Sequence, residues 1–194
     1  MEKIKSLCVF CGSRVGVHPA FESAARELGH AVAERGITLI YGGGDIGLMS
    51  VVARSALENK GKVTGIIPDF IQEFEVGSPG KIELIVVNSM HERKRTMFER
   101  SDAFVALPGG LGTLDETIEM ITWKQLQQHK KPVVLFDINS YWKPLQGLVQ
   151  AVVEGGFGHN DIHKLFSVVD NVEGVFEALK DPPEAGIEVL TSHL

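Results

Sequence analysis

Residues 38–49, with the sequence TLIYGGGDIGLM, join a short apolar run to a glycine-rich turn and then to the start of a helical pattern. The run is apolar on both faces, which is typical of a strand buried in a parallel sheet. The same order of apolar run, turn and amphipathic stretch repeats along the chain. Repeated β-α-β units with right-handed crossovers predict an α/β, Rossmann-like fold, a doubly wound and mainly parallel sheet with helices on both faces.

The remaining elements are predicted outward from that stretch. Strands are predicted at residues 6–10, 38–41, 63–67, 83–87, 103–107 and 133–136, with a short one at 166–169. Helices are predicted at 20–35, 48–59, 91–101, 113–127, 141–153 and 172–179, where apolar residues recur three and four apart. Residues 68–81 are predicted to form the longest irregular loop. We expect one domain over residues 1–181 and a mobile tail at 182–194.

Composition excludes several classes of function. The net charge is −6 and basic residues form no block, so nucleic-acid binding through phosphate neutralisation is not expected. Apolar runs are far shorter than the roughly 20 residues of a membrane span, and the first residues do not resemble a signal peptide, which predicts a cytoplasmic protein. Cys8 and Cys11 have redox-like spacing but continue an apolar strand, which favours packing over redox or metal chemistry. No metal and no cofactor are predicted.

Glycine is concentrated where predicted strands end. Eight of the 21 glycines fall in three turns, at residues 11–13, 42–47 and 108–113, after the first, second and fifth strands. These turns should share one edge of the sheet, where backbone amides and helix N-termini can bind an anion. The dinucleotide fingerprint and the P-loop motif are both absent, so the pattern predicts a phosphate site of another kind.

Two charged segments each have two interpretations. Thr113-Leu114-Asp115-Glu116 is either a helix capping box or the source of a carboxylate, Glu116, directed at a sugar beside the bound phosphate. Residues 90–95, MHERKR, form either a solvated helical face or a phosphate clamp. In the second interpretation Arg93 and Lys94 lie nearest the glycine turns, provided that the fourth and fifth strands are neighbours.

Four motifs, in order and spacing, resemble the Lonely Guy (LOG) family of phosphoribohydrolases, which activate cytokinins. They are Cys11-Gly12-Ser13, Tyr41-Gly42-Gly43-Gly44-x-x-Gly47-Leu48-Met49, Met90-His91-Glu92-Arg93-Lys94 and Pro108-Gly109-Gly110-x-Gly112-Thr113-x-x-Glu116. The resemblance extends from about Ser6 to Trp142. Such proteins often carry a lysine decarboxylase label, but no lysine here stands in a recognisable Schiff-base context. Ser50 departs from the family, which usually has glycine after Gly-Leu-Met.

The resemblance implies hydrolysis of the N-glycosidic bond of an adenine-type nucleoside 5′-monophosphate, either AMP or an N6-modified cytokinin, to free base and ribose 5-phosphate. It implies that Arg93 and Glu116 are the catalytic pair. The substrate-binding residues that it implies, besides these two, are Glu75, Lys94, Gly109, Gly110, Leu111, Gly112, Thr113 and Thr122. It also implies a homodimer, and we expect the partner to line part of the base side of the pocket. The alternative is a nucleotide-binding regulatory module without catalysis.

Overall fold

The sheet has seven parallel strands, which confirms the predicted fold class. The structure, a computed structural model, describes residues 4–75 and 82–183, without the side chains of residues 73–75. The strands lie in the order β4-β3-β2-β1-β5-β6-β7. They are β1 (Ser6–Phe10), β2 (Thr38–Tyr41), β3 (Val63–Pro68), β4 (Glu83–Val87), β5 (Ala103–Ala106), β6 (Val133–Phe136) and β7 (Ser167–Val169). The chain order reverses between β1 and β5, which is where ligands bind in open α/β sheets.

Within the described residues, seven α-helices connect or follow the strands. They are α1 (Pro19–Glu34), α2 (Gly47–Glu58), α3 (Asp69–Glu75), α4 (Met90–Glu99), α5 (Leu111–Gln125), α6 (Lys143–Glu154) and α7 (Val172–Lys180), with a short 3-10 helix at Ile162–Leu165. Their starts follow local chemistry. His18 accepts a hydrogen bond from the Ala20 amide at the start of α1, and Asn171 accepts one from Gly174 at the start of α7.

The strands and all helices but one lie within about two residues of their predicted positions. The exception is α3, because residues 68–81 were expected to form an irregular loop and their first half is helical. Asp69 accepts a hydrogen bond from the Phe70 amide there, and the apolar Phe70, Ile71 and Phe74 recur at helical spacing. Residues 76–81 of that loop, and residues 184–194 of the predicted tail, lie outside the described residues.

The core consists of two apolar layers, one on each face of the sheet. Alternate residues of β1 divide between them, with Leu7 and Val9 on one side and Cys8 and Phe10 on the other. The first layer is completed by α1, α2 and α7, and the second by α4, α5 and α6. Both cysteines are free and buried, and burial raises the pKa of each thiol. They therefore pack as small apolar residues. No helix in the described ranges combines the length and apolarity that crossing a bilayer requires.

The three glycine turns meet at one edge of the sheet, as predicted, since β2, β1 and β5 are adjacent. The Gly12 amide donates to the Pro108 carbonyl at 3.1 Å, and the Leu48 amide donates to the Gly12 carbonyl at 3.0 Å. These bonds join the turns directly. The condition that the fourth and fifth strands be neighbours is not met, because β4 is an edge strand and three strands separate it from β5.

Candidate active site

A cleft opens at the carboxyl edge of the sheet, where the glycine turns meet. Its walls come from β1 and the turn after it, from the turn after β2, from the starts of α2 and α5, and from single residues of α3 and α4. The lining residues are Val9, Phe10, Cys11, Ser13, Gly42, Met49, Ile71, Arg93, Gly110, Leu111, Gly112, Thr113 and Glu116. Six of the predicted site residues are thereby brought together: Arg93, Gly110, Leu111, Gly112, Thr113 and Glu116.

The N-terminus of α5 forms one side of the cleft. Its N-cap residue is Gly110, and no side chain caps the helix. The first amides of any helix lack intrahelical partners, and they carry the positive end of the helix dipole. A Cβ atom at Gly110 or Gly112 would meet nothing within 4 Å, so space remains above these amides. The start of α5 is therefore open to an anion.

Gly109 is needed for a different reason, which is close packing. A Cβ atom there would lie 2.1 Å from Oγ1 of Thr113 and 2.8 Å from the Gly12 amide nitrogen. Thr113 itself is buried. The turn before α5 is thus packed tightly on its inner side and open on the cleft side.

The interpretation of Thr113 as a helix cap is wrong. Because α5 begins at Leu111 rather than at the predicted residue 113, Thr113 lies within the first turn and Glu116 in the second. A cap with this sequence pattern is found at the start of α4. There the Ser89 hydroxyl accepts a hydrogen bond from the Glu92 amide at 3.1 Å, and the Glu92 carboxylate accepts one from the Asn88 amide at 2.8 Å. Glu116 is left free to face the cleft.

Glu116 faces Arg93, which comes from the other side of the cleft. The Arg93 guanidinium donates from Nε to the Ile66 carbonyl and from Nη2 to the Gly42 carbonyl, each at 3.1 Å. Its Nη1 lies 3.6 Å from Oε1 of Glu116. Both side chains are largely buried, with 11% and 9% of their surfaces exposed. The two residues meet although β4 and β5 are far apart in the sheet. The reason is that α4, which connects these two strands, packs against β3.

Burial shifts the proton affinity of Glu116. It raises the pKa of this carboxyl from 4.5 to about 7, although the charge of Arg93 acts in the opposite direction. A pKa of about 7 means that both the carboxylate and the neutral acid of Glu116 are populated near neutral pH. A buried carboxyl with a shifted pKa and a specific charge partner in a cleft is a typical feature of a catalytic site.

Two predicted site residues, Lys94 and Thr122, are placed differently, and the prediction for Glu75 stays untested. Lys94 points from α4 to α5, where its Nζ lies 3.1 Å from Asp115 and 3.0 Å from Glu119. Burial lowers the pKa of Lys94, but the hydrogen bonds to these carboxylates outweigh burial and raise it overall. Thr122 is exposed on α5 and donates to the Ile118 carbonyl. Neither side chain belongs to the described cleft lining. Glu75 ends α3, and its side chain lies outside the described residues.

The sequence interpretation missed several contributors. Ile71 was missed together with α3, and its signal was the helical spacing of Phe70, Ile71 and Phe74. Tyr141 follows β6 and donates a hydrogen bond from its hydroxyl to the Gly109 carbonyl. The signal available for Tyr141 was its place after the predicted strand at residues 133–136, because the carboxyl ends of parallel strands share one edge of a sheet. The unusual Ser50 is accommodated, because its hydroxyl donates to Asp45 in the second glycine turn at 2.8 Å.

Comparisons with known proteins find relatives over most of the chain. Residues 49–179 match a family model described as possible lysine decarboxylase. A probable cytokinin riboside 5′-monophosphate phosphoribohydrolase of Oryza sativa, LOGL1, is 43% identical over 159 residues, which cover 82% of this chain and 71% of the relative. The Arabidopsis thaliana enzyme LOG2 is 37% identical over 185 residues, which cover 93% of this chain and 87% of the relative.

Solved structures support the same fold at lower sequence identity. A molybdenum cofactor binding protein from Rippkaea orientalis aligns with a TM-score of 0.68 and 22% identity, covering 93% of this chain and 98% of that one. The molybdenum cofactor carrier protein of Chlamydomonas reinhardtii aligns with the same score and identity over 99% of this chain and all of that one. At this identity the likeness to the solved structures supports the fold alone, whereas the sequence matches also show the family. By those matches, the chain belongs to the Lonely Guy (LOG) family of cytokinin riboside 5′-monophosphate phosphoribohydrolases.

Proposed function

We propose that this protein hydrolyses the N-glycosidic bond of adenine-type nucleoside 5′-monophosphates, AMP or its N6-modified cytokinin relatives, to free base and ribose 5-phosphate. The observation that carries the proposal is the pairing of the buried Glu116 with Arg93 beside the uncapped N-terminus of α5. The names of the LOG relatives support the same reaction.

The start of α5 is the proposed phosphate site. Three consecutive amides, those of Leu111, Gly112 and Thr113, lie in the first turn of an uncapped helix. The glycines leave room for a phosphate to approach. This local arrangement explains how a chain of net charge −6 binds a dianion without a basic surface.

Glu116 is the proposed catalytic carboxylate. Breaking the ribosyl C–N bond builds positive charge on the sugar, and a nearby carboxylate stabilises that charge or activates the attacking water. The attacking water adds its hydroxyl to C1′ of the ribose. The electrons of the broken glycosidic bond leave with the base, and the remaining proton of the water neutralises the base.

Arg93 has a supporting role in this mechanism. Two of its nitrogens are committed to the carbonyls of Ile66 and Gly42, so the guanidinium is fixed before substrate binds. Its positive charge opposes the effect of burial on Glu116 and so favours the carboxylate form. The interpretation of Arg93 as a phosphate clamp stays a prediction, and its contacts support a role in orienting Glu116.

The test is to incubate the protein with AMP, N6-prenyl-AMP and the matching nucleosides, and to separate the products by chromatography. We expect free base and ribose 5-phosphate in equal amounts from the monophosphates. The nucleosides should react far more slowly, because they lack the group that α5 binds. Tight binding of a monophosphate without release of base would overturn the proposal in favour of a regulatory nucleotide-binding module.

We also propose that the protein acts as a homodimer. Leu111 and Ile118 of α5 and Leu126, which directly follows it, are exposed at 84%, 40% and 41%, and their spacing of seven and eight residues places them on one side of the helix. Thr122 lies between the last two on the same side, is exposed, and does not belong to the cleft lining of its own chain. A second copy covering this side would bury the apolar residues and could bring Thr122 to the partner's base pocket. Light scattering should give about twice the 21.2 kDa chain mass, and a monomer at working concentration would contradict the proposal.

A further inference from the structure

Tyr141 reaches the turn before α5 from a separate connection in the fold. It lies between β6 and α6, and its hydroxyl donates to the carbonyl of Gly109, 32 residues earlier. Gly109 and Gly110 form the peptide that leads directly into α5. The hydroxyl therefore holds the backbone at the point where the proposed phosphate site begins.

The position of Tyr141 is itself fixed from several sides. Asp137 accepts a hydrogen bond from the Trp142 amide at 2.8 Å, which closes the connection after β6. Within that turn Asn139 and Ser140 adopt left-handed backbone angles, with φ of 54° and 59°, a conformation that non-glycine residues adopt at a cost of about 1 kcal/mol or more. Such a turn persists only where its surroundings hold it.

Aromatic contacts complete the placement of the ring. The Tyr141 ring packs nearly perpendicular to Phe21 of α1 at a centroid distance of 5.9 Å and to the buried Trp142 at 5.2 Å. These contacts do not involve the hydroxyl, so the ring would keep its place without it. The hydroxyl can therefore be removed with little effect on packing.

The hydrogen bond also sets the direction of an amide. In a trans peptide the N–H of one residue points opposite to the carbonyl of the residue before it, so anchoring the Gly109 carbonyl determines where the Gly110 N–H points. The Gly12 amide holds the neighbouring Pro108 carbonyl at 3.1 Å. The carbonyls of Pro108 and Gly109 are thus both held by residues from outside this turn, the first by Gly12 and the second by Tyr141.

We propose that Tyr141 is a positioning residue for the substrate phosphate, which it never touches. By holding the Gly109 carbonyl it orients the amides at the start of α5 before the substrate arrives, so that binding does not have to order them. The inference rests on the proposed function, since it assigns the substrate's 5′-phosphate to this turn.

Tyr141→Phe tests the proposal, with Tyr41→Phe as the matched control. The chain has only these two tyrosines, and Tyr41 is a buried residue of β2 outside the cleft lining described above. Calorimetry would measure AMP and inorganic phosphate binding, and steady-state kinetics would measure turnover of AMP and of adenosine. We expect Tyr141→Phe to weaken AMP and phosphate binding about five- to tenfold, the effect of one hydrogen bond. It should raise KM for AMP with little change in kcat, and leave adenosine turnover and the control variant unchanged.

The outcomes separate the two proposals. Equal binding of AMP by Tyr141→Phe and the unmodified protein would overturn the role of Tyr141, whether or not either protein releases base. An equal loss on AMP and adenosine would also overturn it, because that result indicates general loss of structure. Failure of the unmodified protein to bind phosphate or AMP would overturn the phosphate site, and with it both proposals. AMP binding without hydrolysis would overturn the proposed reaction and leave the tyrosine test intact.

Discussion

The starts of α4 and α5 carry the same short pattern, Ser or Thr followed three residues later by Glu, with opposite outcomes. At α4 the pattern is Ser89 to Glu92, and both side chains bond to backbone amides at the helix end. At α5 it is Thr113 to Glu116, and neither side chain caps the helix. Glu92 is exposed, whereas Glu116 is buried and faces a cleft.

The difference arises from where each helix begins. At α4 the serine is the residue before the first helical turn, so its oxygen reaches the free amides. At α5 the glycines allow the helix to begin before Thr113 is reached, and the free amides remain uncapped. A capped helix start is complete by itself, while an uncapped one at the ligand edge of a sheet is available to a phosphate. The same four-residue pattern therefore supports structure in one helix and the proposed chemistry in the other.

The most direct test of the difference between the two helix starts is to replace each glutamate by the neutral glutamine. Glu116→Gln should lower kcat for AMP by about three orders of magnitude, because it removes the charge that stabilises the ribosyl cation. AMP binding should change little, since the α5 amides remain. Glu92→Gln is the matched control and should keep normal turnover, because the amide oxygen still accepts from Asn88. Normal turnover by Glu116→Gln would show that the two glutamates are equivalent after all.

The same substitution should make the folded protein more stable at alkaline pH. The pKa of Glu116 is about 7 in the folded protein against an ordinary value of 4.5. The protonated form is thus favoured by folding, so its contribution to stability is complete below pH 4.5 and is lost as the pH rises through 7. Glutamine stays neutral and avoids this loss, which amounts to about 3 kcal/mol.

Chemical denaturation of the two proteins at pH 4 and pH 8 would measure that difference. Glu116→Gln should exceed the unmodified protein in unfolding free energy at pH 8 and nearly equal it at pH 4. Glu92→Gln should show no comparable pH-dependent gain, since Glu92 is exposed. A constant difference at both pH values would mean that Glu116 does not titrate as its burial requires.

The smallest expected effect is at the cap of α4. Ser89→Ala removes the oxygen that accepts from the Glu92 amide and should reduce the unfolding free energy by about 1 kcal/mol. Ser89→Asp keeps an acceptor and should restore most of that loss. Both variants should retain near-normal turnover, which denaturation curves and the AMP assay can check together. A large loss of activity in Ser89→Ala at full stability would assign this helix start a chemical role of its own.

Much of the fold was predictable because strands and helices have local periodicity. The strand ends, the meeting of the glycine turns and the burial of Cys8 and Cys11 all followed from apolar runs and turn residues. The helix α3 was missed because seven residues carry little periodic signal next to an irregular segment. The path of α4 could not be deduced, since the order of strands in a sheet depends on tertiary packing rather than on local pattern.

The site was predictable in composition more than in orientation. The motifs identified Arg93 and Glu116, which the structure brings within 3.6 Å of each other. Lys94 adjoins Arg93 in sequence, but successive helical residues point about 100° apart, so it turns to α5 and its carboxylates. Tyr141 was missed because the bond to Gly109 joins two segments that are 32 residues apart.

The backbone contacts of Arg93 connect the site to local unfolding of the sheet. Its guanidinium bridges the carbonyls of Gly42, just after β2, and Ile66, within β3, while β3 is flanked by the edge strand β4. Local opening of a folded protein begins where packing is one-sided, well below the free energy of global unfolding. Separation of β2 from β3 would release the arginine and strip Glu116 of its counter-charge while the rest of the sheet stayed intact. Activity therefore depends on the pairing of β2 with β3, and we expect it to be lost before the protein unfolds globally.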